Sequence, residues 1–242
     1  MKIGIVIPSY NEAESIGPLI LKIREVIPEA EVLVVDDSVD LKTMDAVAAL
    51  GLSGVTAKHR DQKGGRGSAI LLGIELLLEA GCDAIVEMDA DFSHPPEQLS
   101  ELLAKASSEK LDLLIASRYL PASRIVNWPL SRRVFSKASN LLARSLLGVP
   151  VHDYTNGYRC YSRRAAELIS QTCGKYGRGF ISLSEILVNV YYTKKAPMKI
   201  GEIPTRFVNR VRGESSVDHR EIKNALIGLL KIYGLKRQLL RE

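Results

Sequence analysis

Two carboxylates, Asp89 and Asp91, follow an apolar run in the stretch from Val86 to Glu97. Along a strand, residues two apart point to the same face, so the two side chains converge if the extended geometry continues through Ala90. Carboxylate oxygens suit Mg²⁺ or Mn²⁺, whose remaining positions are commonly filled by water and substrate phosphates. The spacing therefore predicts a metal and phosphate site, although an isolated pair of this kind is also typical of a solvated, helix-capping turn.

The elements around this pair favour a ligand site. Residues 82–88 are typical of a buried strand, and residues 95–97 are typical of the start of a helix, where Pro is tolerated. Strands at 1–8 and 31–37 enclose a helical repeat at 15–26, which indicates a βαβ unit and a parallel sheet. Ligands of such sheets bind at the carboxyl ends of the strands. Further helices are predicted at 43–50, 68–80, 96–107, 130–147, 163–170, 180–191 and 221–242, and further strands at 55–59, 111–116 and 199–204.

Two more polar segments follow predicted strands. The second strand ends in Asp36 and Asp37, and acids at that position commonly contact a ribose or a base, although capping of the next helix is an alternative. The segment from Arg60 to Gly67 is rich in glycine and cations and precedes a helix, where backbone N–H groups can bind phosphate. Its spacing is neither that of a P-loop nor that of a dinucleotide fingerprint.

The composition indicates a soluble globular protein. The chain has 242 residues, of which 46% are hydrophobic and 25% charged, enough for one large domain or two small ones. Its three cysteines lack a C-x-x-C spacing, so we expect neither a disulfide framework nor a zinc site, but a reducing, cytoplasmic setting. We also expect neither a signal peptide nor a transmembrane helix.

Charge is distributed unevenly along the chain. Residues 1–117 contain 10 Lys and Arg against 20 Asp and Glu, whereas residues 118–242 contain 23 against 8. An acidic half that can hold a cation thus precedes a basic half that should attract phosphates or an anionic membrane surface. No nucleic-acid partner is expected, because the basic half lacks a recognisable nucleic-acid-binding motif. The helix predicted at 221–242 is expected either to lie in a membrane interface or to pack on the domain itself.

Glu185 is an acid within a predicted apolar helix. We expect it either to form a bridge to an active-site Arg or to be partly exposed.

An ordered series of motifs carries a resemblance to a known family. The whole chain resembles the dolichol-phosphate mannose synthases, or polyprenol-phosphate mannosyltransferases, of the inverting glycosyltransferase family 2. The motifs are I-V-I-P-S-Y-N-E at 5–12, V-V-D-D at 34–37, M-D-A-D-F-S-H-P-P-E at 88–97, A-S-R-Y at 116–119, N-W-P-L-S-R-R-V-F-S-K at 127–137, D-Y-T-N-G-Y-R at 153–159 and E-I-P-x-x-F-x-x-R-x-x-G-E-S at 202–215.

The resemblance implies a Rossmann-like GT-A fold, of the α/β class, with a mostly parallel twisted sheet flanked by helices and a basic, amphipathic C-terminal helix. It implies transfer of mannose from GDP-mannose to the phosphate of dolichol or another polyprenol, with Mg²⁺ or Mn²⁺ and, in some members, a separate small membrane subunit. The implied metal and diphosphate site is Asp89 and Asp91, with Ser93 in the third position of the metal motif. The implied nucleotide-sugar site is Pro8, Tyr10, Glu12, Asp36, Asp37, Asp89 and Ala90, and the implied acceptor-phosphate site is Arg118, Arg132, Ser136 and Arg210, with Asp89, Asp91 and Arg118 as the catalytic residues.

The chain departs from the family pattern in three places. The acidic motif after the second strand, Asp36 to Asp40, is one residue shorter than is common. Leu120 to Arg124 replaces three glycines found in many members, and Ser93 replaces a Gln found in some.

The chemistry of a phosphate acceptor agrees with this interpretation. The second pKa of a phosphate monoester is about 6, so the nucleophile is already anionic near neutral pH and requires no strong base. Three alternatives remain open. The first is the same fold transferring glucose or an N-acetylhexosamine, or transferring to a saccharide with a carboxylate such as Asp153 as base. The second is a sugar nucleotidyltransferase, which would need a Gly-rich loop in place of Pro8 to Glu12, and the third is a non-catalytic membrane-surface subunit.

The expected domain organisation follows the charge distribution. We expect one domain at 1–220, with a nucleotide-sugar and metal half at 1–117 and an acceptor half at 118–220. A helix at 221–242 follows, and the protein is expected on the cytosolic face of a membrane.

Overall fold

The computed structural model describes residues 1–176, 181–194, 197–209 and 219–241, with 219–225 as backbone only. The helices are α1 (Ala13–Val26), α2 (Lys42–Ala48), α3 (Arg66–Glu79), α4 (Leu99–Ser108), α5 (Leu130–Leu147), α6 (Arg163–Thr172), α7 (Ile181–Tyr192) and α8 (His219–Arg241), and a 3-10 turn at Pro96–Gln98 precedes α4. The strands are β1 (Ile3–Ser9), β2 (Glu31–Asp36), β3 (Val55–His59), β4 (Ala84–Glu87), β5 (Leu113–Ser117), β6 (Arg124–Val126), β7 (Arg159–Ser162), β8 (Ile200–Pro204) and β9 (Arg206–Val208).

Seven strands form the central sheet, in the order β3-β2-β1-β4-β7-β5-β8. Neighbouring strands are parallel except at β7, which runs antiparallel to both β4 and β5. The predicted α/β class with a mostly parallel sheet is therefore confirmed. Strands β6 and β9 form a separate parallel pair.

Helices cover both faces of the sheet, which explains why its strands read as nearly continuous apolar runs. On β1, Ile5 and Ile7 belong to a core shared with α1 and α4, whereas Val6 belongs to a core shared with α3 and with α5 to α8. Successive side chains of a strand point to opposite faces, so this division follows from the alternation along β1. Gly73 lets α3 approach closely, since a side chain there would collide with Val6.

The structure corrects the sequence prediction in the short strands and at the ends of several elements, most clearly at the start of α3. Strands β6, β7 and β9 were not among the predicted strands, because three or four residues rich in polar and aromatic side chains give too little periodicity. Helix α3 begins at Arg66, two residues earlier than predicted, directly after Gly65 with φ +81°. The positive φ is accessible to Gly at little cost, so the chain can turn sharply into the helix there.

Helix α8 packs on the domain with one face. Its Leu229, Ile232 and Leu235 are buried in the core that α5 and α7 also line. Other positions of the helix expose several large apolar residues, namely Leu226, Ile227, Leu230, Tyr233 and Leu240. Among the described ranges, we find no helix whose length and apolar character would let it cross a membrane.

Candidate functional site

Asp89 and Asp91 lie just beyond the carboxyl end of β4, in a segment that we call the carboxylate turn (residues 89–93). Strand β4 ends at Glu87 and Ala90 lies in a turn, so extended geometry, the condition on which the two side chains would converge as on a strand, does not continue through Ala90. Instead the backbone N–H of Ser93 donates to Oδ1 of Asp91 (3.1 Å), and Phe92 has a φ of +59°. Local hydrogen bonds of the Asx-turn type compete with the sheet ladder and bend the chain here.

His94 fixes the carboxylate turn from inside the protein. Its Nδ1 accepts from the backbone N–H of Asp89 (3.0 Å), so the ring proton is on Nε2, which lies 3.0 Å from Oδ1 of Asn156. The ring stacks on Tyr158, with centroids 5.0 Å apart. Burial lowers the pKa of His94. A neutral imidazole with both nitrogens engaged supports the turn and is not expected to bind a metal.

Arg66 reaches the same carboxylates from the first turn of α3. Its Nε and Nη2 donate to Oδ1 of Asp89 (2.9 and 2.8 Å), and its Nη1 donates to Oε1 of Glu87 (2.6 Å). Burial opposes the charge on Arg66, but the two carboxylates outweigh burial and raise the pKa of its guanidinium above the usual value. Glu87 is fully buried on β4, and the hydroxyl of Tyr161 on β7 donates to its Oε2 (2.6 Å).

The glycine-rich segment is held by Asp37, at the end of β2. Both carboxylate oxygens of Asp37 accept from Arg60 (2.6 and 2.7 Å), and Oδ2 also accepts from the backbone N–H groups of Gly64 and Gly65. Asp36 is buried and accepts from the hydroxyl of Ser38 (2.7 Å). In this structure both acids stabilise loops at the predicted nucleotide site, and their contact with a nucleotide stays a prediction.

The other predicted nucleotide residues surround the same rim of the sheet. Tyr10 is 42% exposed, and Nζ of Lys63 lies 3.3 Å from the centre of its ring. The Glu12 carboxylate, just before α1, accepts from the hydroxyl of Ser15 (2.7 Å). Pro8 lies within β1, and Ala90 and Ser93 are buried in the carboxylate turn.

Arg118 follows β5 and forms a buried ion pair with Asp153. Its Nε and Nη2 donate to the two oxygens of Asp153, each at 2.8 Å, and Nη2 also donates to the hydroxyl of Thr155 (2.7 Å). Its Nη1 has no hydrogen-bond partner in the part of the chain that the structure describes. The sequence did not predict this pairing, which leaves one guanidinium nitrogen for a ligand.

Arg132 and Ser136 lie one turn apart on α5, so they share a face of that helix. The guanidinium of Arg132 lies over the ring of Trp128, 4.3 Å from its centre, and donates to Oδ1 of Asn209 (3.1 Å). The hydroxyl of Ser136 accepts from Tyr119, which directly follows Arg118 (2.6 Å). Three of the four predicted acceptor residues are thus brought together, and the fourth, Arg210, lies outside the described residues.

A row of three aromatic rings joins the carboxylate turn to these arginines. His94 packs edge-on against Phe207 with centroids 5.7 Å apart, and Phe207 packs in the same way against Trp128 at 5.3 Å. The guanidinium of Arg118 lies 5.3 Å from the Phe207 ring centre and 5.4 Å from that of Trp128. We call His94, Phe207 and Trp128 the aromatic row.

Glu185 has a backbone partner in the structure. It is fully buried in α7, and its Oε1 accepts from the backbone N–H of Lys175 (3.0 Å). Partial exposure is therefore wrong, and no described arginine pairs with it.

The sequence interpretation missed Glu87 as a candidate site residue, and it included Arg66 only within the glycine-rich segment, not as a partner of the carboxylates. A signal was present: Glu87 is a charge within an apolar strand, and such a residue needs a buried partner. Nothing local to Arg66 marks it as that partner. In the described ranges, no three side chains of the His, Cys, Asp and Glu types form a group that could hold a metal ion.

Comparison with known proteins agrees with the motifs. Residues 4–169 match the family described as glycosyl transferase family 2. The chain belongs to this family. The family 2 chain is 37% identical over 241 residues to an undecaprenyl-phosphate mannosyltransferase of Micrococcus luteus. The alignment covers 97% of this chain and 95% of that protein.

A second relative is a polyprenol monophosphomannose synthase of Mycolicibacterium smegmatis, 35% identical, with 97% of this chain and 88% of that protein covered. The resemblance to polyprenol-phosphate mannosyltransferases is confirmed, and this family 2 chain is a glycosyltransferase. Among solved structures, glucosyl-3-phosphoglycerate synthase from Mycobacterium tuberculosis, in complex with Mn²⁺, UDP-glucose and phosphoglyceric acid, matches with a TM-score of 0.67. At 20% identity, over 96% of this chain and 80% of that one, the match shows the shared GT-A fold.

Proposed function

We propose that this glycosyltransferase moves a mannosyl residue from GDP-mannose to the phosphate of a polyprenol, with inversion at the sugar carbon. The names of the full-length relatives support the sugar and the lipid. The structural observation that carries the proposal is the aromatic row, which places a carboxylate turn at one end and two arginines at the other. Residues 1–117 would bind the nucleotide sugar, residues 118–220 the acceptor, and 221–242 would contact the membrane.

Asp89 and Asp91 are the residues that would hold Mg²⁺ or Mn²⁺. The donor set fits such an ion, since two carboxylates leave coordination positions for water and the nucleotide diphosphate. The relative solved with Mn²⁺ and UDP-glucose lends further support. When bound, the metal supplies positive charge that neutralises the departing diphosphate. His94 and the Asn156 amide hold the turn in place, which keeps the carboxylates preorganised.

Arg132 and the remaining nitrogen of Arg118 would bind the acceptor phosphate. Trp128 offers another donor, because its Nε1 is buried without a partner in the described ranges, and a buried indole N–H usually has one. A phosphate acceptor needs no general base near neutral pH. A saccharide acceptor would need one, and Asp153 is instead fully buried and paired with Arg118. This pairing favours a phosphate over a saccharide.

The surface of α5 and α8 is proposed to contact an anionic membrane. The two helices pack on each other, and α5 exposes Leu130, Val134, Phe135, Leu141 and Leu142. α5 also carries Arg132, Arg133, Lys137 and Arg144. Exposed apolar residues next to cations are typical of helices that lie in the headgroup region, where both burial and attraction to anionic lipids contribute. The protein would then be peripheral on the cytosolic face.

The decisive experiment incubates the protein with a panel of radiolabelled nucleotide sugars and polyprenyl phosphate, with and without EDTA. Label from GDP-mannose alone should enter the organic phase, and EDTA should prevent it. Asp89→Asn should lower transfer by at least about a hundredfold with an unchanged circular dichroism spectrum, because it removes a metal ligand. Arg132→Met should chiefly raise the apparent KM for the lipid phosphate.

Two outcomes would contradict the proposal. Near-normal turnover of Asp89→Asn would remove the metal site from the carboxylate turn. An Arg132→Met variant that changed only the KM for the nucleotide sugar would place the acceptor elsewhere. Arg164→Met is the matched control, since Arg164 lies on α6 and its guanidinium donates to Asp112, not to the acceptor residues or the proposed membrane surface.

A further inference from the structure

Arg66 connects the Glu87 carboxylate on β4 and the Asp89 carboxylate just beyond it through one rigid planar group. Its guanidinium gives two hydrogen bonds to a single oxygen of Asp89, Oδ1, and one to Glu87. The planar group also lies against the backbone at Gly157, where a side chain would collide with Nη2. Three independent contacts therefore determine the position of the guanidinium, and through it the orientation of the Asp89 carboxylate.

Glu87 holds Arg66 in turn. Its Oε1 accepts from Arg66 and its Oε2 from Tyr161, at 2.6 Å each, so both oxygens of this fully buried carboxylate are engaged. Tyr161 and Glu87 lie on the paired strands β7 and β4, which fixes them with respect to each other. The series Tyr161, Glu87, Arg66 and Asp89 therefore runs from the sheet to the carboxylate turn.

The formal charges of this series, together with Asp91, suit a divalent cation. Asp89, Asp91 and Glu87 are acidic and Arg66 is basic, which leaves two negative charges for a divalent ion to neutralise. Without Glu87, the charge of Arg66 would offset one of the two carboxylates offered to the metal. Glu87 thus allows a cationic side chain to lie next to the carboxylate turn without weakening its attraction for a metal.

We propose that Arg66 is a positioning residue for the metal: its two hydrogen bonds to Oδ1 fix the orientation in which the Asp89 carboxylate meets the ion, and Glu87 fixes and neutralises Arg66. The inference rests on the metal site of the proposed function. Hydrogen bonds from outer residues to ligating carboxylates commonly contribute a factor of about 10 to 100 to metal affinity. The opposite arrangement, in which Arg66 occupies the place of the metal and must leave, predicts a gain in affinity when Arg66 is removed.

The test is a titration of the purified full-length protein with Mn²⁺, alone and with GDP, in which electron paramagnetic resonance measures the free ion. Arg66→Met should weaken Mn²⁺ binding about 10- to 100-fold. Arg66→Lys should also weaken it, because one ammonium group cannot reproduce the fork between two carboxylates. Arg164→Met is the matched control: it removes an Arg on α6 that donates twice to Asp112 (2.6 and 3.1 Å), just before β5, and Mn²⁺ binding should not change.

Unchanged or tighter Mn²⁺ binding by Arg66→Lys or Arg66→Met would overturn the inference. The proposed function would still stand in that case if the wild type bound Mn²⁺ and Asp89→Asn abolished this binding. If the wild type itself bound no Mn²⁺, the metal site and the inference would both fall. Arg66→Lys keeps a positive charge beside Glu87, so it remains informative if Arg66→Met does not fold. Circular dichroism and thermal unfolding of each variant separate loss of structure from loss of the ion.

Discussion

Substituting Asn for Asp153 removes the charge that balances a buried arginine. The Arg118 side chain is only 6% exposed and that of Asp153 is fully buried. The carboxylate also accepts from the backbone N–H groups of Arg118, Thr155 and Asn156, at 3.0 to 3.1 Å. An Asn side chain keeps the shape but offers one acceptor oxygen in place of two. The guanidinium would then remain buried without a counter-charge.

The cost follows from the burial of both partners. Breaking a buried ion pair by neutralising one member costs about 3–5 kcal/mol of unfolding free energy, which in a chain of this size lowers the Tm by about 6–20 °C. Burial opposes ionisation of Asp153, but Arg118 and the backbone donors outweigh it and lower the pKa of the carboxyl. Because the folded pKa lies below the unfolded value of about 3.9, the stabilisation is complete above that pH. It is lost as the pH falls through the folded pKa.

The assay is urea-induced unfolding followed by circular dichroism, at pH 7 and at several pH values down to 3. Asp112→Asn is the matched control, because its partner Arg164 is 51% exposed and stays hydrated, so a smaller loss is expected. A loss below about 1 kcal/mol for Asp153→Asn at pH 7 would refute the reasoning from burial. Retained stability with selective loss of transfer would instead indicate that Asp153 acts as a base.

Two further predictions concern packing and the proposed membrane contact. Gly73→Ala should destabilise the protein by about 1–3 kcal/mol in urea unfolding, because the added methyl group collides with Val6. Gly17→Ala is the control and should not destabilise it, because the nearest atom lies 3.9 Å from the added methyl group. An unchanged free energy of unfolding in Gly73→Ala would contradict the close approach of α3 to β1. Leu230→Ser on α8 should reduce co-sedimentation with vesicles of phosphatidylcholine and phosphatidylglycerol several-fold, roughly the effect of 1 kcal/mol. Leu21→Ser, at an exposed leucine of α1, should leave it unchanged, and equal losses for the two variants would contradict the assignment of the surface.

Much of the fold could be predicted because long elements carry their own periodicity. The bounds of α5 agree with the structure at both ends, and β3 agrees as well. Strand β7 could not be found in this way. Its four residues pair with β4 and β5, more than forty positions earlier in the chain, and that pairing leaves no local pattern in the sequence.

The site was predictable in its location but not in its internal partners. The motif around Asp89 placed the carboxylates correctly beyond a strand, since chain direction alone puts strand ends at one rim. The ion pairs depend on tertiary contacts: Asp153 is 35 residues from Arg118, and Glu87 is 21 residues from Arg66. Spacing along the chain contains no information on such pairs when the elements between them differ in length and direction.

The antiparallel direction of β7 also has a kinetic consequence. It brings the segment from Asp153 to Gly157 to the rim where β4 and β5 end, and that one segment contacts Arg118 through Asp153, His94 through Asn156 and Arg66 through the backbone of Gly157. Substitutions in this segment are therefore expected to change the steady-state constants for donor and acceptor together. Substitutions confined to α3 or to α5 should change one constant at a time, so the two binding events are separable by mutation only outside this loop.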